Sequence, residues 1–256
     1  MSRSVRVLIL RAAGTNCDLE TQHAWEQAGA SARRVHVREL FERPALLDEA
    51  AIVTIPGGFS YGDDVAAGRI LAVQIRRHLL DALRRFVDRG GLVLGICNGF
   101  QVLVQTGLLP GLDGRRICTL ARNDPPGFVC RWVRLEATSD RCAFLEAGRR
   151  YALPIAHGEG RVVFAEDAAR EQVVARGCAA LRYVPGFDPL PANPNGSELD
   201  LAGLCDPTGR ILGLMPHPER AVTRTQHPFW TRQRDRDFAD GLEIFRAAVR
   251  AARGGL

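Results

Sequence analysis

Residues 92–106 read LVLGICNGFQVLVQT and place a cysteine between an apolar run and a helical pattern. The apolar run LVLGI predicts a buried strand, and the segment from Phe100 to Thr106 predicts a helix. Gly95 and Gly99 flank Cys97 in the pattern G-x-C-x-G. Because glycine has no side chain to clash, this pattern predicts a sharp strand-to-helix turn that lifts the sulfur above the sheet edge.

Cys97 is the candidate nucleophile of this turn. The start of the following helix would lie beside its sulfur, and the partial positive charge there favours a thiolate. The backbone N–H of Asn98 would face a developing oxyanion. The alternative, a buried structural cysteine in a glycine-rich turn, stays open on this pattern alone. Cys17 also follows a strand-like segment, but it lacks a second flanking glycine and is next to Asp18, so we expect it not to be a nucleophile.

Strand-like and helix-like segments alternate through the first half of the chain. The predicted strands are residues 5–10, 35–37 and 51–55, and the predicted helices are residues 18–29 and 70–87. This order predicts an α/β fold, with a mostly parallel sheet and helices on both faces. Functional sites of such folds form at the C-terminal ends of the strands.

The second half of the chain is more β-like. Residues 128–137 alternate between apolar and polar side chains, and a hairpin partner is predicted near residues 150–155. A further strand is predicted at residues 211–215 and a C-terminal helix at residues 238–252. Because no internal repeat and no linker is evident, we expect a single domain over residues 1–256.

A catalytic cysteine needs a base, which is usually a histidine held by a third group. Two histidines carry an acid two residues later, in His217-Pro218-Glu219 and in His157-Gly158-Glu159. In an extended segment such residues project to the same side. The prolines around His217 stiffen its backbone and favour the first pair, but the residues alone leave both pairs open.

Two adjacent glycines follow the predicted strand at residues 51–55. Gly57 and Gly58 would allow a close backbone approach to a ligand, and Gly58 could supply a second oxyanion N–H. A plain turn is the alternative.

Composition excludes several classes of protein. The net charge is +5 and all 34 basic residues are arginine, but they are scattered among acids, so no nucleic-acid surface is predicted. The apolar runs are strand-sized, so no membrane span is expected, and the chain is interpreted as cytoplasmic. The seven cysteines include no C-x-x-C pair, so no metal site is expected.

Several strings together resemble one known family. They are PGGFSYGD, GICNGFQ, LPIAHGEGR, NPNGS and GLMPHPER, in that order along nearly the whole chain. They look like the glutaminase subunits of phosphoribosylformylglycinamidine synthase, which are class I glutamine amidotransferases with a flavodoxin-like fold. One departure is Ala12-Ala13-Gly14-Thr15, where the family commonly has Pro-Gly-Ser. This departure is expected to alter partner contacts and not the catalytic residues.

The resemblance implies a role for each candidate residue. Cys97 attacks the side-chain amide of L-glutamine, His217 moves the proton, and Glu219 orients His217. Four further residues, Gly57, Gly58, Asn98 and Gln101, form the oxyanion and glutamine site. His157 and Glu159 are a site-lining or interface pair.

The resemblance also implies partners. Ammonia would pass to a separate synthetase subunit, which holds ATP and Mg²⁺, and a small third subunit would bridge the two. No cofactor is expected on this chain, because it carries no P-loop. The rival hypothesis is a cysteine peptidase or related hydrolase on the same scaffold.

Overall fold

A nine-stranded sheet forms the centre of the protein. The computed structural model describes residues 4–112, 115–186, 189–232 and 239–254. The strands are β1 (Arg6–Arg11), β2 (Ser31–His36), β3 (Ile52–Ile55), β4 (Leu92–Ile96), β5 (Cys118–Arg122), β6 (Val129–Ala137), β7 (Arg150–His157), β8 (Glu159–Phe164), β9 (Ala179–Val184), β10 (Leu201–Cys205) and β11 (Ile211–Leu214). The order in the sheet is β2-β1-β3-β4-β11-β10-β9-β6-β7, and β5 pairs with β8 separately.

The sheet has a parallel half and an antiparallel half. The five strands from β2 to β11 in this order pair in parallel, and the remaining pairs are antiparallel. Strands β3 and β4 are buried at every residue, as expected where helices cover both faces. Strand β7 instead alternates buried and half-buried residues, which is typical of a sheet with one covered face. The predicted α/β fold and the predicted hairpin are confirmed.

Seven α-helices connect and cover the strands. They are α1 (Asp18–Gln27), α2 (Val37–Glu42), α3 (Arg69–His78), α4 (Leu80–Asp88), α5 (Asn98–Thr106), α6 (Asp167–Ala175) and α7 (Asp240–Gly254) within the described residues. The connection from β1 to β2 and the connection from β3 to β4 run in opposite directions along the sheet. Because such crossovers are right-handed, α1 lies on one face while α3 and α4 lie on the other.

Two predicted elements differ from the structure. The single helix predicted at residues 70–87 is wrong, because the backbone at Leu79 leaves the helical region (φ −135°) and separates α3 from α4. The apolar spacing continues through Leu79, which is itself buried, so the pattern contains no sign of this break. The strand predicted at residues 35–37 instead ends at His36, and Val37 begins α2. In the predicted C-terminal helix, Phe238 lies outside the described residues.

The direction of the connections creates a crevice between β1 and β3. Ligands of open α/β sheets bind where the strand order reverses, at the carboxyl ends of the strands. An isolated bridge between Thr15 and Gly58 joins the loops that leave β1 and β3 at this point. Strand β7 also reaches this edge, since the His217 N–H, after β11, donates to the Pro154 carbonyl at 2.8 Å. Among the described helices, none combines the length and apolar character needed to cross a membrane.

The first prediction concerns Gly99, in the first turn of α5. A Cβ at this position would lie 1.9 Å from the carbonyl oxygen of Ile55 at the end of β3. We expect Gly99→Ala to lower the free energy of unfolding by about 1–3 kcal/mol, the range typical of overpacking, although alanine is the better helix former. Denaturant titration measures this change.

Gly254→Ala is the matched control, because Gly254 also lies in a helix and no atom lies within 4 Å of its Cβ position. The free energy of unfolding should change by less than about 0.5 kcal/mol in this control. A Gly99→Ala variant as stable as the wild type would contradict the close packing of α5 on β3.

Candidate active site

Cys97 occupies a strained turn between β4 and α5. Its backbone has φ 51° and ψ −104°, a left-handed φ that non-glycine residues rarely adopt. A Cβ on Gly95 would lie 2.7 Å from the carbonyl oxygen of Gly99, so the two flanking glycines allow strand and helix to meet closely. The Cys97 N–H donates to the Leu214 carbonyl at 2.8 Å, which ties the turn to β11. The geometry is that of the predicted nucleophile elbow.

His217 and Glu219 lie directly after β11, beside this turn. Nδ1 of His217 is 2.6 Å from Oε1 of Glu219, and the residues are only 2% and 1% exposed. Glu219 lies in a short 3-10 helix, Pro218–Arg220, which begins directly after His217. The structure therefore brings together the first His-x-Glu pair, and the opposite ring nitrogen, Nε2, has no hydrogen-bond partner among the described residues.

The surroundings of His217 favour its charged form. Burial alone would lower the pKa of this imidazole, but the charge of Glu219 and the neighbouring thiols of Cys97 and Cys17 raise the pKa well above its ordinary value. A histidine that readily holds a proton between a carboxylate and a thiol can accept the thiol proton and later return it to a leaving group.

The two candidates for backbone N–H donors to an oxyanion at Cys97 are Asn98 and Gly58. Asn98 is the first residue of α5, so its N–H has no partner within the helix. In the bridge between the β1 and β3 loops, the Gly57 carbonyl accepts from the Cys17 N–H and the Phe59 N–H donates to the Gly14 carbonyl. The N–H of Gly58, between them, takes no part in this bridge.

Neither Gly57 nor Gly58 has room for a side chain. Gly58 has φ 136°, and a Cβ there would lie 2.8 Å from the Asn16 nitrogen. A Cβ on Gly57 would lie 2.9 Å from Cε1 of His217. The Gly57-Gly58 pair therefore lets the β3 loop pack against both the imidazole and the β1 loop.

A cavity of about 330 Å³ opens over these groups. That volume is within the range of small-ligand sites. Gly58, Cys97, Gln101 and His217 line it, together with residues from the β1 loop and the end of β7. Gln101 is held in the wall, since its Nε2 donates to the Glu159 carbonyl and its Oε1 accepts from the Asn98 side chain.

His157 and Glu159 line the same cavity, but their side chains bind other partners and not each other. His157 is 3% exposed, and its Nδ1 lies 3.1 Å from Oδ1 of Asn123. The Glu159 carboxylate instead accepts from the Ala67 N–H and lies 3.8 Å from Arg122. Burial, followed by the charge of His217, lowers the pKa of His157 to about 4. This geometry favours His217 over His157 as the base.

Cys17 belongs to the candidate site, although its sequence context did not place it there. It is 1% exposed and lines the cavity, where its thiol accepts a hydrogen bond from Arg220 at 3.1 Å. Burial is the main cause that raises the pKa of Cys17, whereas the neighbouring Asp18 is paired with two arginines at 2.8 and 3.1 Å. Cys17 follows β1 and Cys97 follows β4, so both lie at the carboxyl edge of the sheet. This position could have predicted that Cys17 lies close to the site.

One group of side chains has donors spaced for a metal ion. Ligand atoms of Cys17, His217 and Glu219 lie within 4.8 Å of one another, among the residues that the structure describes. A metal there would compete with the short hydrogen bond between His217 and Glu219. The arrangement is therefore better suited to moving a proton than to holding an ion.

Comparison with known proteins shows the family of this chain. A family model described as a CobB/CobQ-like glutamine amidotransferase domain matches residues 4–250. The chain therefore belongs to this glutamine amidotransferase family. Within it, the chain is similar to curated proteins named phosphoribosylformylglycinamidine synthase subunit PurQ.

Two of these relatives illustrate the similarity. The protein from Dehalococcoides mccartyi is 45% identical over 97% of this chain and 98% of its own length. The protein from Pyrococcus furiosus is 38% identical over 92% of this chain and 93% of its own length. A chain in the structure of PurLQS from Thermotoga maritima is 32% identical, with a TM-score of 0.74, and the match covers 97% of this chain and 99% of that one.

The second prediction is that the pKa of His157 lies below that of an ordinary histidine and the pKa of His217 lies above it. Nitrogen NMR of the ¹⁵N-histidine-labelled chain should show His157 neutral throughout pH 5–8, since its pKa is about 4. His217 should stay protonated to a higher pH than an ordinary histidine. The variants His157→Gln and His217→Ala assign the two signals. A His157 signal that titrates between pH 6 and 7 would contradict the buried neutral ring.

Proposed function

We propose that this chain is the glutaminase subunit of phosphoribosylformylglycinamidine synthase and that its active site is the cavity over Cys97. It hydrolyses L-glutamine to glutamate and ammonia. The ammonia serves the synthetase subunit, which converts formylglycinamide ribonucleotide to the amidine in purine biosynthesis. The observation that carries the active-site assignment is the buried 2.6 Å contact between His217 and Glu219 beside the strained turn at Cys97.

The chemistry begins with proton transfer from the Cys97 thiol to His217. The sulfur attacks the carboxamide carbon of glutamine, and the N–H groups of Gly58 and Asn98 stabilise the oxyanion. His217 then donates its proton to the nitrogen as the carbon–nitrogen bond breaks, which releases ammonia and leaves a γ-glutamyl thioester. Water, activated by His217, hydrolyses the thioester to glutamate and restores the thiol. Glu219 stabilises the positive charge on His217 throughout.

In this proposal the ATP-dependent step belongs to another subunit. We place ATP and Mg²⁺ on the synthetase subunit and propose a small bridging subunit in the same complex. A single domain over residues 1–256 and a cytoplasmic location complete the proposal. The match of one family model to residues 4–250 supports a single domain. The rival hypothesis of a cysteine peptidase is not favoured, since the relatives named PurQ match nearly the whole chain.

The third prediction separates the two half-reactions. In the complex with the synthetase subunit, Cys97→Ala should abolish glutamine-dependent synthesis of the amidine and preserve synthesis from added ammonium. The reason is that only the glutamine reaction needs the thiol. Product formation with each nitrogen source is the measurement.

Cys130→Ala is the matched control, because Cys130 is an exposed cysteine on β6. It should leave both reactions unchanged. Loss of the ammonium reaction in Cys97→Ala would contradict the division of labour, and retention of the glutamine reaction would contradict the nucleophile.

A further inference from the structure

The loop that leaves β3 is strained shortly after Gly58. Tyr61, Gly62 and Asp63 all have a left-handed backbone, with φ of 55°, 73° and 53°. Such angles are rare for residues other than glycine, and they persist where surrounding contacts hold them. Gly58, the proposed second donor to the oxyanion, precedes this strained stretch in the same loop. The position of that donor therefore depends on what holds the loop.

Backbone hydrogen bonds fix one side of the β3 loop. The Phe59 N–H donates to the Gly14 carbonyl at 3.0 Å, and the Tyr61 N–H donates to the Ala13 carbonyl at 2.7 Å. Both bonds join the β3 loop to the β1 loop. Neither bond reaches α5, where the other proposed donor, the Asn98 N–H, begins the helix.

The side chain of Asn98 fixes the other side of the same loop. Asn98 is 3% exposed, its Oδ1 accepts from the Ser60 N–H at 3.3 Å, and its Nδ2 donates to Oδ1 of Asp63 at 3.1 Å. Because a backbone N–H can only donate and an ionised carboxylate can only accept, these partners determine the orientation of the amide. Nδ2 also donates to Oε1 of Gln101 at 3.0 Å, which holds the amide against α5.

We propose that the side chain of Asn98 is a positioning group that couples the two halves of the oxyanion site. This inference rests on the proposed function. The backbone N–H of Asn98 is one donor, and its side chain holds the strained loop that carries the other donor, Gly58. Donors that are already in place stabilise an oxyanion without rearrangement during the reaction. Without the amide, the strained loop relaxes away from α5 and the two donors no longer converge.

The substitution Asn98→Ala tests this role, since it removes the amide but keeps the backbone N–H in a residue that favours helix. In the complex with the synthetase subunit, kcat for glutamine hydrolysis should fall about 10- to 100-fold, with less than about threefold change in KM. The loss is smaller than the roughly 100- to 1000-fold typical of deleting an oxyanion donor, because the β1 loop still holds its side.

A second reaction of Cys97 separates the oxyanion site from the thiol. Alkylation by iodoacetamide displaces iodide at a saturated carbon, so it needs the thiolate and forms no oxyanion. Its rate in Asn98→Ala should stay within about twofold of the wild type. A variant with a damaged turn at Cys97 would instead lose both reactions.

Hydrogen exchange of the free chain reports on the loop itself. In Asn98→Ala, residues 59–63 should exchange faster, while residues 92–96 of β4 keep their protection. Gln22→Ala is the matched control, because the Gln22 amide donates to Glu26 at the surface of α1. This control should change neither the exchange of the loop nor kcat.

A double variant tests the link between Asn98 and Asp63. Asp63→Ala removes the carboxylate that accepts from Asn98, so kcat should fall in this variant too. Adding Asp63→Ala to Asn98→Ala should cost little more, because both single changes remove the same hydrogen bond, whereas unrelated local effects would add.

Three results would overturn the proposal. They are an unchanged kcat in Asn98→Ala, equal losses of kcat and of the alkylation rate, and additive losses in the double variant. The underlying function is tested separately. A wild-type complex that hydrolyses no glutamine would refute the glutaminase assignment, while hydrogen exchange of the free chain would still show whether Asn98 holds the loop.

Discussion

The contact between Gly99 and the carbonyl oxygen of Ile55 is the constraint on which the site depends. The absence of a side chain at Gly99 lets α5 sit on the end of β3, and Gly95 lets β4 meet the same helix. At this close approach Cys97 has a left-handed backbone, and α5 begins at the next residue, Asn98. The strained turn thus lies where strand and helix pack closely, and the strain falls on the proposed nucleophile.

The two histidines show how surroundings shift the pKa of one residue type in opposite directions. His217 is held by a carboxylate and close to two thiols, so its charged form is favoured. His157 is held by the neutral amide of Asn123 and is buried, so its neutral form is favoured. Of the two rings, only His217 is therefore suited to moving a proton.

The sequence predicted the elements whose signals are local. The elbow at Cys97 could be predicted because strand spacing, glycines and helix spacing meet within fifteen residues. The choice between the His-x-Glu pairs could not be settled, because both have the same spacing and their partners are distant in sequence. Asn123, for example, lies 34 residues from His157. The environment of Cys17 likewise depends on Arg220, 203 residues away. The break at Leu79 left the apolar spacing intact.

The central claim is that Cys97, and not its buried neighbour Cys17, is the nucleophile. The most direct measurement is peptide mass spectrometry after treating the chain, in complex with the synthetase subunit, with the chloroketone analogue of glutamine. Both cysteines line the cavity, so the position of the label distinguishes between them. The account predicts one label, on Cys97, that excess glutamine prevents. A label on Cys17 with Cys97 unmodified would contradict it.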